Sequence, residues 1–110
     1  MKKAKQLDLE KALDIQLTKW QKDYIFRGKR YAENIANTRA NGKTTAHCLR
    51  VCFSKGNTLY ATPSNPEIMS YMGEDVAYLR RRNFFIYELR KIYAKLQNAK
   101  IKGLRDIRFL

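Results

Sequence analysis

From Asp75 to Leu96 the apolar residues Val76, Leu79, Phe85, Ile86, Leu89, Ile92, Tyr93 and Leu96 recur at three- and four-residue spacings. That periodicity predicts one long helix with a continuous apolar stripe. A chain of 110 residues has room for one domain and one modest core, so everything else must be read around that helix. A complete motor ATPase would need more chain. With 45% of residues hydrophobic, the sequence can fold despite a charged fraction of 30%.

Upstream, Leu7, Leu9, Ala12, Leu13 and Ile15 form a loose helical face, and Thr18 is placed to cap a second helix, "KWQKDYIF", ending near Gly28. "RYAENIAN", residues 30–37, fits either a helix or a strand. Thr44 to Phe53 predicts a third helix with Leu49, Cys52 and Phe53 inward. Gly56-Asn57 breaks it, and Thr58 to Thr62 favours a strand stopped by Pro63 and Ser64. Asn65 or Ser64 caps the next helix with Pro66 at its first position, and Gly73 divides that region from the long helix. "GLRDIRFL" supplies Leu104, Ile107 and Phe109 for a last strand. This order predicts an α/β fold in which a short parallel sheet is flanked by helices, organised as a single domain over residues 1–110. Its three parts are an N-terminal helix (1–16), a loop-bearing segment (17–65) and a basic helical segment with the last strand (66–110).

"NTRANGKTTAHCL", residues 37–49, carries the chemistry. At a helix N-terminus the unpaired backbone N–H groups and the positive end of the dipole favour an anion, and Gly42 lets a phosphate approach the backbone. Lys43 adds charge for the outer phosphates, and Thr44 stands where a hydroxyl reaches a bound Mg²⁺; Thr45 reads as structural. The first glycine of the full phosphate-loop pattern is replaced by Asn37.

"TRANGKTTA" resembles the variant Walker A loop of the large terminase subunits of tailed bacteriophages, ATPases that drive DNA into capsids. In that family an arginine precedes the Gly-Lys-Thr, and Arg39 stands at the matching place. "LTKWQKDYI" is similar to the family's adenine-recognising segment, with Leu17, Trp20 and Gln21 in its pattern, 22 residues ahead of Lys43. "TLYATPSN" is similar to the strand and loop that follow the Walker A helix. The resemblance covers residues 17 to 65. It implies a partial P-loop NTPase-like layer sandwich holding ATP and Mg²⁺ through Gln21, Arg39, Asn41, Gly42, Lys43, Thr44 and Thr45, with Thr44 on the metal. Read without the resemblance, Gln21 is a solvated helix residue beside a buried Trp20, Arg39 a surface cation, and Pro63-Ser64 a turn.

A working motor of that kind also needs an apolar strand ending in an acidic pair. "FFIYEL" offers Glu88 without a preceding Asp and fits the long helix better, and Asp106 follows "KGLR" instead of an apolar strand. The expectation is therefore an incomplete ATPase at most, the front part of such an enzyme, acting in the cytoplasm of a host cell and completed, if at all, by a companion phage or host protein.

The net charge of +13 attracts phosphate polymers or acidic protein surfaces. From Arg80 to Leu110 ten Lys and Arg residues face only Glu88 and Asp106. Arg80, Arg81 and Arg82 are candidate nucleic-acid contacts, DNA before RNA, and the basic residues of this half, interleaved with Tyr78, Phe84, Tyr87 and Tyr93, are suited to contact phosphates while the rings stack on exposed bases. On the opposing view Tyr78, Phe84, Tyr87 and Tyr93 face the core and the cations form a solvated helix face. The second functional expectation is accordingly a small basic non-enzymatic phage protein that binds nucleic acid or inhibits an acidic host protein.

Cys48 and Cys52 lie four apart on one helical face without the partners of a four-ligand zinc site, and read as buried thiols in a reducing compartment. "MKKAKQLDLEK" lacks the apolar core of a secretory signal, and no run approaches the roughly 18 apolar residues of a membrane span.

Overall fold

The computed structural model describes residues 3–28, 43–72 and 79–109. Helix α1 (Lys3–Leu13) buries Leu9 and Leu13. Its end is a hydrogen-bonded stop: Asp14 takes a left-handed φ of 53°, its N–H donates to Lys11 O, and Ile15 N–H donates to Glu10 O. The Glu10 carboxylate then accepts from Leu17 N–H at 2.8 Å, which seats the buried Leu17 under the turn into the second helix.

Helix α2 (Lys19–Arg27) starts in a capping box. Gln21 N–H donates to Thr18 Oγ1 at 3.4 Å, and Thr18 N–H donates to Gln21 Oε1 at 2.9 Å. It ends at Gly28 with φ 67°. Helix α3 (Lys43–Cys52) is the most enclosed element: Ala46, Cys48, Leu49, Val51 and Cys52 have no exposed surface, as expected of a helix packed between α2 and the long C-terminal helix.

Strand β1 (Leu59–Ala61) alternates, with Leu59 and Ala61 inward and Tyr60 outward. Asn65 caps α4 (Pro66–Met69) by accepting Glu67 N–H at 2.9 Å, with Pro66 at the first position. Helix α5 (Leu79–Asn98) lays Phe85, Leu89, Ile92, Tyr93 and Leu96 against α1 and α3. Leu79, expected on this stripe, is exposed, because it sits off the arc that meets the core. Strand β2 (Ile107–Phe109) pairs parallel with β1, Leu59 opposite Ile107 and Ala61 opposite Phe109. The described residues thus form a mixed α/β fold with a two-stranded parallel sheet whose crossover contains α4 and α5. The ambiguous segment 30–37, Gly73, Val76 and Tyr78 lie outside the described residues.

Arg105 joins these parts. Its side chain is 5% exposed although it carries a full charge. Its backbone N–H donates to Cys52 O at the end of α3 (2.8 Å), and its carbonyl accepts from Tyr93 of α5 (2.7 Å). The guanidinium donates to Asn57 O (2.9 Å), to Ser54 Oγ (3.1 Å) and to both carboxylate oxygens of Glu67 in α4. A buried charge is tolerated on such terms, with its donors matched by acceptors. Gly56 makes room for it, since a Cβ there would stand 2.7 Å from Arg105 Nη2 at a φ of 148°.

Candidate functional site

Lys43, Thr44 and Thr45 stand at the start of the described part of α3, and Thr44 and Thr45 are half-buried. Arg39, Asn41 and Gly42 lie outside the described residues. Packing against α2 orients the helix. The Tyr24 hydroxyl and His47 Nδ1 are 2.7 Å apart, with the two rings edge-on at 5.2 Å. The Arg50 guanidinium lies 4.6 Å from the Tyr24 ring centroid, a cation–π contact, and stands beside Gly28. The contacts advance in the same sense along both helices, from Tyr24–His47 to Gly28–Arg50.

Gln21 is 5% exposed, so it is not a solvated helix residue, and its Oε1 is committed to Thr18. Trp20, read as its buried neighbour, is only half-buried. The capping box therefore fixes the rotamer of Gln21, a constraint that the pattern Thr-x-x-Gln carries in the sequence.

Neither described strand ends on an acidic pair. Thr62 follows β1, while Asp106 precedes β2, accepts from Thr58 Oγ1 at 2.9 Å and pairs with Arg108 at 3.2 Å. Glu88 is helical, one turn before Lys91, whose ammonium it meets at 3.6 Å.

The basic cluster divides. Arg80 and Arg81 are exposed, whereas Arg82 is half-buried and donates from Nη1 to Met69 Sδ at 3.8 Å. Arg105, counted by sequence with the surface cations, is internal and paired. Phe84 and Tyr87 are 47% and 59% exposed, so these two aromatics do not face the core, while Tyr93 does.

Cys48 and Cys52 are free and fully buried under the same helix. Burial, with smaller electrostatic contributions from the neighbouring Cys52 and Glu88, holds the Cys48 thiol well above its ordinary value; burial pushes Cys52 up to about 12. Both are neutral packing groups. No described helix is long and apolar enough to cross a membrane. No protein-family model matches the chain, and neither a curated protein nor a solved structure matches it.

Proposed function

We propose that the chain is a P-loop nucleotide-binding protein, similar to the N-terminal ATPase segment of a phage DNA-packaging terminase and lacking hydrolysis on its own. The observation that supports the reading is that Lys43, Thr44 and Thr45 of the Gly-Lys-Thr-Thr run lie in helix α3, which is followed in the chain by β1 of a parallel sheet. In that arrangement the first-turn N–H groups and dipole favour phosphate, and Arg39, Asn41, Gly42 and Lys43 are the residues that would hold it. The half-buried Thr44 hydroxyl fits the hard oxygen donor that Mg²⁺ takes from a protein, the remaining ligands being phosphate and water. Gln21, buried and with its Oε1 held by Thr18, would reach the base through its amide N–H₂ group alone, and Thr45 would steady the helix beside the loop. ATP with Mg²⁺ would supply the charged polyphosphate. The fold read this way is part of a P-loop NTPase-like layer sandwich, and turnover would need a carboxylate pair from a companion chain.

The test is a nucleotide titration with and without Mg²⁺, followed by a turnover assay. Expected are Mg²⁺-dependent ATP binding, its loss in Lys43→Ala, and no turnover. Binding that is absent in the native chain, or unchanged in Lys43→Ala, removes the proposal.

A second reading, a basic protein that binds nucleic acid, draws support from the exposure of Arg80 and Arg81 beside two exposed aromatic rings. Steeply salt-dependent binding that survives Lys43→Ala and weakens when Arg80, Arg81 and Arg82 are neutralised is its expected signature.

A further inference from the structure

We infer that the solvent face of α5 is a binding site for single-stranded nucleic acid, with Phe84 and Tyr87 stacking on bases and Arg80, Lys91 and Lys95 pairing with phosphates. The inference rests on the nucleic-acid reading above and goes past it in two respects. It moves the contact from the consecutive arginines to a helical stripe, and it specifies the strandedness of the partner.

The placement follows from helical geometry. At 3.6 residues per turn, Arg80, Phe84, Tyr87, Lys91 and Lys95 fall within about 80° of arc, on the side opposite the core residues Phe85, Leu89, Ile92 and Leu96. All five of the outer residues are exposed. A single exposed ring is ordinary on a protein surface, but two on adjacent turns with cations before and after them form a patch of mixed character. Lys91 Nζ lies 5.2 Å from the Tyr87 ring centroid, so one face of that ring is already backed by a cation. Arg81 and Arg90 flank the stripe, and both are exposed. Among the described residues of this helix the one carboxylate is Glu88, which lies 3.6 Å from Lys91 Nζ. Arg82 is excluded, since its side chain turns toward Met69.

The combination selects among polyanions. An acidic protein surface needs the cations but gives Phe84 and Tyr87 no flat partner. A duplex offers phosphates but keeps the faces of its bases stacked inside. A single strand presents phosphates and unstacked bases together, which is the pairing of groups this face is equipped to meet, with little dependence on sequence.

The experiment measures anisotropy of a labelled single-stranded oligonucleotide, its duplex and labelled polyglutamate across a salt series. Expected is binding to the single strand in preference to the duplex and to polyglutamate. Phe84→Ala and Tyr87→Ala should each weaken it about tenfold with an unchanged salt slope, and Tyr87→Phe should retain it. Replacing Arg80, Lys91 and Lys95 together by Gln should reduce the slope by about 2. Because every one of these side chains is exposed, the variants keep the fold. Single-strand binding that is indifferent to both ring substitutions overturns the inference and leaves the nucleic-acid reading standing. Absence of binding to either nucleic acid overturns both. Duplex or polyglutamate binding as tight as single-strand binding overturns the inference in favour of a purely electrostatic or protein contact.

Discussion

Arg105 and Glu67, 38 residues apart, close a two-pronged guanidinium–carboxylate contact that ties the approach to β2 onto α4. Arg105 is buried while the Glu67 side chain remains 46% exposed, so the two partners contribute unequally. The guanidinium depends on Glu67 for charge compensation; Glu67 can turn to water.

Hydrogen bonding to Arg105 holds the Glu67 carboxyl below its ordinary value of 4.5, against a smaller opposing effect of burial. A depressed folded-state value means that this contribution to stability is complete above pH 4.5 and is lost as the pH falls through the folded value. Glu67→Gln should therefore cost about 1 kcal/mol at neutral pH, a figure kept small by solvent screening of a half-exposed carboxylate. The difference between native and variant should shrink in acid. Urea unfolding at pH 7 and pH 3 measures it, and a difference independent of pH would show that the charge on Glu67 is not what matters.

Helix α5 ends in a Schellman arrangement. Ile101 N–H donates to Leu96 O and Lys100 N–H to Gln97 O, with Lys100 at a left-handed φ of 57°. A side chain in that conformation costs about 1 kcal/mol, which glycine avoids. Lys100→Gly should stabilise the protein by roughly 0.5–1 kcal/mol, partly offset by the freer unfolded chain, and should raise the urea midpoint. A lowered midpoint would mean that the Lys100 side chain contributes more than its backbone geometry costs.

What could be read from sequence was what local chemistry decides. Thr18, Asn65 with Pro66, and Gly28 act within one helical turn, and those helix ends fell where these residues put them, while the part Gln21 plays in the cap emerged only from the structure. The last strand was legible because Ile107 and Phe109 alternate with polar residues. Arg105 was not, since its acceptors Ser54, Asn57 and Glu67 come from 38 to 51 residues away and a charge count treats every arginine alike. A signal was present: Arg105 shares the period-two face of Ile107 and Phe109. Phe84 and Tyr87 mark the opposite case, aromatic residues whose outward position follows from their place on the helical wheel and not from their hydrophobicity. In the candidate loop, Lys43, Thr44 and Thr45 are helical, whereas Arg39, Asn41 and Gly42 lie outside the described residues.

The two thiols of α3 make that helix's burial measurable. Because the folded values of Cys48 and Cys52 are raised, the neutral forms are favoured in the native state. The stability they provide is complete below the ordinary value of 9.0 and is lost as the pH rises from there toward about 12 for Cys52. Each thiol should steepen the alkaline loss of stability by about 1.4 kcal/mol per pH unit above that point, and Cys52→Ala should flatten the slope by one such share. At pH 8 an aromatic disulfide reagent should label neither cysteine in the native protein, and labelling should accelerate with urea in step with global unfolding. Fast labelling without denaturant would show that α3 opens locally, and with it the first turn that carries Thr44.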